Sequence, residues 1–268
     1  MLAPSPVVKK TAKQMLSQQF LTSVAVCCVF LFVCFACVLT ATLVSVFAGN
    51  TGFAIALLLF AIFAMSPLVL GVLYYFRRLI WESQDGPLVI FKYFADLDEY
   101  KRALRFTLLI FKNLAATAVV AFFPCIVVWL FSNDDVYKAL GFSLPIWASN
   151  LWALNSFLII ISSFVLMFVM LKFYLAPFIF VANDKIDPAE AVNMSTIISK
   201  RTGGDFFGLA VSFSGWILLS VFVAPLVFTM PYFLASYIVH CRFAITAYNR
   251  DVDRFNASAT PSYSSDEF

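Results

Sequence analysis

The chain has 268 residues, of which 62% are apolar and 12% charged, with a net charge of +3. A soluble domain carries about 25% charged residues, and the mean hydropathy here is +0.92. Water could not solvate that much apolar surface, so a soluble globular protein is excluded and a bilayer becomes the natural solvent.

Residues 1–19 are polar and hold Lys9, Lys10 and Lys13. Ser5-Pro6 can start a short helix, with Val7, Val8, Met15, Leu16 and Phe20 as a narrow face for a membrane surface. A disordered lead-in fits the same residues. The apolar run from Phe20 to Ala48 is far longer than the ~7–15 residues of a signal-peptide core, and no A-x-A site follows it. It reads as a retained first span, about 20–47. The uncharged turn Ala48-Gly49-Asn50-Thr51-Gly52 leads into span two, about 53–75, which ends at Arg77-Arg78. Pro67 and Gly71 predict a kink within it.

Residues 77–105 are the first long polar segment. Asp85-Gly86-Pro87 signals a turn. Phe91, Phe94, Leu97, Tyr100 and Leu104 then recur at helical intervals, which predicts an amphipathic helix lying at the cytoplasmic interface. Span three follows at about 106–131, with Lys112 near its start and Pro124 near its end. The loop 132–150 holds Asp134, Asp135 and Lys138. Span four covers about 151–173, with Lys172 at its end.

The second polar segment is 182–205. Asp187-Pro188-Ala189-Glu190 carries a cap, a first-turn proline and an acid three residues after the cap. Ala191, Met194, Ile197 and Ile198 add an apolar stripe, predicting a second interfacial helix that Gly203-Gly204 can end. From Phe206 to Val239 there is no charge, and Pro225 and Pro231 interrupt the run. Two spans are expected, about 206–224 and 231–249. The tail, 251–268, is Ser/Asp-rich and reads as disordered.

Basic residues set the orientation. Lys9, Lys10 and Lys13 precede span one, six more lie between Arg77 and Arg105, and Lys185, Lys200 and Arg201 lie between spans four and five. Arg250 and Arg254 follow span six. The intervening turns hold only Lys138. The expectation is an all-α, polytopic membrane domain over 20–250 with six transmembrane helices and both termini cytoplasmic. A helix, a span, a turn and a returning span recur up to three times, without residue-level identity between the units.

Chemistry is sparse. All 15 acidic residues fall in loops or tails, which disfavours proton relays and carboxylate cation sites. Lys112 and Lys172 sit near the cytoplasmic ends of their spans, where a long stem can snorkel to the headgroups. His240 is the chain's one histidine and has no carboxylate on its own helix, so it reads as an interfacial or helix-bonding group. Gly208, Ser212 and Gly215, spaced by four and three, read as a packing seam in span five, with span six the natural partner. Ser212, Ser214 and Ser220 could instead line a substrate path. Cys34 and Cys37 form a lone C-x-x-C, and the six cysteines read as small buried apolar residues without a disulfide. No metal, cofactor or nucleic-acid motif stands out.

The C-terminal half resembles a family. Phe173-Tyr-Leu-Ala-Pro-Phe-Ile-Phe-Val-Ala-Asn-Asp184, Pro188-Ala-Glu-Ala-Val-Asn-Met-Ser195, Ser212-Phe-Ser-Gly-Trp-Ile-Leu-Leu-Ser220 and Met230-Pro-Tyr232 follow in order the conserved segments of the bacterial integral membrane proteins called domain-of-unknown-function family 975. The resemblance covers about 173–250. It departs at Arg201-Thr-Gly-Gly-Asp205, where one Gly with basic and aromatic neighbours is expected. It implies a bacterial inner-membrane location and supplies no activity. The functional expectation is a non-enzymatic protein that acts through membrane partners or as a homo-oligomer, in an accessory or envelope role. The alternative is a transporter or channel for a neutral or apolar solute, with Ser212, Ser214 or Asn155 in a water-accessible path.

Overall fold

The computed structural model describes residues 5–81, 86–133, 136, 138, 151–219 and 223–259. Most of the expected loop at 132–150, the Asp85 turn position and the tail beyond 259 lie outside these residues. The described residues are all-helical: α1 (Ser5–Ser17), α2 (Phe20–Phe60), a π-turn (Ala61–Met65), α3 (Ser66–Trp81), a 3-10 turn (Pro87–Phe91), α4 (Lys92–Ala95), α5 (Leu97–Ser132), α6 (Leu151–Met170), α7 (Ala176–Ala182), α8 (Pro188–Val211), α9 (Ser214–Leu219) and α10 (Val223–Ala259). Among the described residues, four stretches are long and apolar enough to cross a membrane: Phe20–Ile80, Leu97–Ser132, Leu151–Met170 and Leu226–Asp253.

The first of these folds back on itself. Gly49 interrupts the helix with φ 66° and ψ −166°, a conformation essentially restricted to glycine. Beyond it the chain returns along its own path, so that Cys34 Sγ lies 3.4 Å from Met65 Sδ. The expected turn at 48–52 is thus a reversal centred on one residue. On the return arm, Pro67 lacks the N–H that would bond the Phe63 carbonyl. The helix widens to a π-turn over Ala61–Met65, and Tyr100 Oη donates to the Phe63 oxygen at 3.1 Å. The irregularity in this helix therefore lies at Pro67, as a π-turn, and not at Gly71. Gly71 has a different use, since a Cβ there would stand 1.8 Å from the Ile90 carbonyl oxygen. It is the point where α3 crosses the 3-10 turn with no side chain between them.

The second hairpin is α5 with α6. Asp96, extended at φ −126°, ψ 135°, starts α5 and accepts from the Asp98 amide at 3.3 Å. From there one 36-residue helix runs to Ser132, about 54 Å at 1.5 Å per residue. This corrects the expected interfacial helix. Phe91 and Phe94 lie before the Asp96 break, while Leu97, Tyr100 and Leu104 belong to the start of span three. At Pro124, which weakens the local ladder, Ser162 of α6 donates to the Ala121 carbonyl at 2.7 Å. Helix α6 packs chiefly on α5.

The third hairpin is α8 and α9 with α10. Asp187 caps α8 through the Ala189 amide at 3.0 Å. The helix then passes through Gly203-Gly204 to Val211, which corrects the expected stop there. Neither glycine has positive φ, and nothing else forces the chain out of the helix. The break falls at Ser212-Phe213.

The hairpins differ in burial. Only 6% of the most apolar stretch of α5, and of α6, is buried, against 50% for α10. The first two hairpins expose side chains such as Phe47 and Trp152. Their feet, together with α1, α7 and the third hairpin, form one apolar core. Helix α1 contributes Val8, Ala12 and Leu16 to that core, leaving Val7 outside, so its apolar face meets protein. The turn region of the third hairpin lies at the foot of the first: Phe20 stacks on Phe228 at 6.2 Å, and Lys9 Nζ donates to the Ser212 carbonyl at 3.1 Å. Its middle lies at the foot of the second, beside Tyr174.

Candidate functional site

In the segment between α6 and α8, residues 174–181 are buried except for the half-buried Pro177. Leu175, Ala176, Phe180 and Val181 are fully enclosed. Pro177 suits the first turn of α7, but a helix of seven residues leaves most of its backbone groups without helical partners. Other elements reach the open carbonyls of α7 and its flanks from two sides.

On one side stand hydroxyls and an imidazole. Ser195 and Ser199 of α8 both donate to the Lys172 carbonyl, at 2.9 and 3.1 Å. Tyr237 of α10 donates to the Tyr174 carbonyl at 2.5 Å. The Tyr174 hydroxyl donates to Thr202 Oγ1 at 2.7 Å, and Thr202 passes its own proton to the Ile198 carbonyl at 3.1 Å. His240 Nε2 lies 3.3 Å from the same phenol. Phe206 stacks on Tyr174 with ring centroids 4.3 Å apart. Burial pushes the Tyr174 phenol above its ordinary range, so it stays neutral.

On the other side stands a basic collar. Arg77 Nη1 donates to the Val181 carbonyl at 2.8 Å. Arg102 Nη2 donates to the Asn183 and Ile186 carbonyls at 2.8 and 2.9 Å, and its guanidinium lies 4.4 Å from the centre of the Phe180 ring. Lys92 pairs with Asp184 at 3.0 Å. Tyr93 is buried beneath Phe180 with centroids 6.2 Å apart. Burial first, then the Asp184 and Glu99 carboxylates, push its phenol above the ordinary range. Both long polar segments of the sequence thus meet around α7.

No protein-family model matches the chain, and neither a curated protein nor a solved structure matches it.

The residues singled out from sequence fare differently. His240 is 1% exposed and bonds between helices, in contact with Tyr174. Lys112 is exposed on α5. Lys172 is exposed, and only its carbonyl is used by the polar cluster. Gly208, Ser212 and Gly215 form no seam among the described residues. A Cβ at Gly208 or Gly215 would meet nothing within 4 Å, and Ser212 turns its hydroxyl back on the Leu209 carbonyl. Spacing could show that the three share a face, but not which neighbour covers it. Of the cysteines, Cys27, Cys125 and Cys241 are buried, Cys34 and Cys37 half-buried, and Cys28 is exposed, contrary to the uniform burial expected; all six are free thiols. Arg77, Arg102 and Thr202 had no sequence signal beyond their residue type, because their partners are backbone carbonyls about 80 to 100 residues away or a buried phenol.

Chemically the cluster is a stitch. It joins the chain just before α7 to α8 and α10 through neutral donors and acceptors. Tyr174→Phe is expected to cost about 1–3 kcal/mol, because the Thr202 hydroxyl and the imidazole both lose a buried partner. Combined with Thr202→Val, the loss should fall short of additive by about 1 kcal/mol. Thermal unfolding of the four proteins in detergent measures this, and strict additivity would show that the two side chains act separately.

Proposed function

We propose that this chain is a multi-pass protein of a bacterial inner membrane that performs no catalysis itself and acts through membrane partners, as an accessory or envelope component. The contrast between its two parts carries this reading. Two apolar hairpins lean on little beyond themselves, and an interlocked polar body sits at their feet. Apolar flanks of that size are solvated by lipid or by other membrane helices. A body stitched to backbone carbonyls is a rigid platform.

The contact between the two polar segments around α7 supports placing both on one side, and the basic residues support that side being cytoplasmic. The first two hairpins then supply four crossings. In a six-span arrangement the third hairpin would stand beside them. Its ties to Phe20 and Lys9 favour a position across the feet of the other two, at the cytoplasmic interface, and either arrangement keeps both termini inside. A topology reporter fused after Asn133 should read periplasmic and one at Asp187 cytoplasmic; the same side for both would overturn the paired hairpins. A cysteine replacing Gly215 should react with a membrane-impermeant reagent from the cytoplasmic face, whereas reaction from the other face would restore six spans.

A tagged chain purified from native membranes in gentle detergent should carry a stoichiometric membrane partner. Recovery alone or as a homo-oligomer, with neutral-solute flux into liposomes, would replace this reading by the transporter. That alternative requires a shared path through Ser212, Ser214 or Asn155. The two serines are exposed on the third hairpin and Asn155 lies in α6.

A further inference from the structure

A groove opens where α1, the foot of α2 and the turn region of the third hairpin meet. Its volume is about 460 Å³, and Lys13, Leu16, Ser17, Phe20, Trp216, Phe228, Thr229 and Tyr232 line it. That lies within the ~300–1,000 Å³ of sites that hold small ligands. The lining is graded. Lys13 and Ser17 of α1 supply its polar part, and the rings of Phe20, Trp216, Phe228 and Tyr232 supply most of the rest.

Depth and charge define the occupant. Phe20 is the first residue of the apolar hairpin, so the groove begins where the bilayer begins. Trp and Tyr at this level match the aromatic belt of a membrane interface. Lys13 lies on α1, seven residues before Phe20, and lines the groove beside it. The chain has no Asp or Glu before Glu82, nor any between Phe206 and Val239. Lys13 is exposed, and it has no acidic partner among the described residues. Lys9, one turn away, is already held by the Ser212 carbonyl and lies 4.3 Å from the centre of the Phe213 ring, which fixes α1 over the groove and leaves Lys13 as the free cation at its mouth.

We propose that this groove binds one anionic phospholipid of the adjoining leaflet, with its phosphate at Lys13 and an acyl chain between Phe20, Phe228, Trp216 and Tyr232. The lipid would join α1 to the third hairpin, so the body at the feet of the hairpins would read the charge of its own leaflet. The inference rests on the membrane reading above.

The test uses the full chain in gentle detergent, with lipid adducts read by native mass spectrometry during titration with phosphatidylglycerol, phosphatidylcholine or a free fatty acid. One phosphatidylglycerol should be retained over phosphatidylcholine by about fivefold, the contribution of one lysine near an anionic surface. Lys13→Gln should abolish that preference, and Lys10→Gln, which is exposed outside the groove, should leave it intact. Equal retention of the two phospholipids, or equal loss in both variants, would overturn the site. Stronger retention of the fatty acid would replace the phospholipid as occupant. Should Lys13→Gln fold poorly, quenching of Trp216 by brominated phosphatidylglycerol, in a chain whose other four tryptophans are phenylalanine, gives an independent reading. Quenching no stronger than by brominated phosphatidylcholine would also overturn the proposal. A chain that leaves the membrane fraction without detergent would instead refute the membrane reading.

Discussion

Gly71→Ala is expected to be among the most damaging conservative changes in this chain. The new methyl would stand 1.8 Å from the Ile90 carbonyl oxygen and 2.7 Å from its carbon. Both are backbone atoms, so no side chain can swing away. The 3-10 turn that carries Ile90 is anchored on its far side by the Lys92–Asp184 pair and by Tyr93 beneath Phe180. Separating α3 from this turn would also disturb the core residues Leu70, Val72 and Leu73. Overpacking costs about 1–3 kcal/mol where side chains can relax, and here the expected cost is about 3 kcal/mol or more. Gly208→Ala is the matched control. Its Cβ meets nothing within 4 Å, and an alanine in a helix interior gains about 0.5–1 kcal/mol over glycine. Thermal unfolding in detergent should move in opposite directions for the two variants. A Gly71→Ala protein as stable as the parent would mean that the close approach of α3 to the turn is not a feature of the fold.

Arg102→Leu is expected to release the end of α7. The guanidinium serves two carbonyls at once, at 2.8 and 2.9 Å, and is only 17% exposed. A charged hydrogen bond of this kind contributes about 1.5–3 kcal/mol, and the cation over Phe180 adds to it. The two bonds share one group and are not additive, so the expected loss is about 3 kcal/mol. Lysine should not restore it, because a single ammonium cannot present the forked donors of arginine. Arg105, which is exposed on the same helix, should tolerate leucine within about 0.5 kcal/mol. Limited proteolysis gives a second reading. Lys185 is exposed in the turn that Arg102 holds, so trypsin should cut there sooner in Arg102→Leu than in Arg105→Leu. Equal cleavage would mean that the turn is held by something else.

Signals that act within a few residues were legible in the sequence. Gly49 sits inside the uncharged turn that separates two apolar runs, and Asp187-Pro188 caps the helix it announces. Signals that depend on a neighbour were not. The stripe from Phe91 to Leu104 has helical spacing throughout, yet Asp96 divides it, because its carboxylate can cap a new helix at that point. Gly203-Gly204 has the composition of a helix end, but glycine permits a stop without requiring one. The spacing of Gly208, Ser212 and Gly215 matches a packing face, whereas the close approach of one element's backbone to another is at Gly71.

Composition, charge and the length of the apolar runs determined by themselves that this chain forms helices long and apolar enough to cross a bilayer. These are sums and periodicities along the chain, and solvation depends on them directly. Tertiary structure decided where the polar groups go. Arg77, Arg102, Ser195 and Tyr237 are unremarkable in sequence, and each acquires its role from a backbone carbonyl that a buried seven-residue helix and its flanks leave open. An unsatisfied carbonyl in an apolar core costs several kcal/mol. The fold therefore brings donors to it from wherever the chain can supply them, and sequence distance carries no record of that choice.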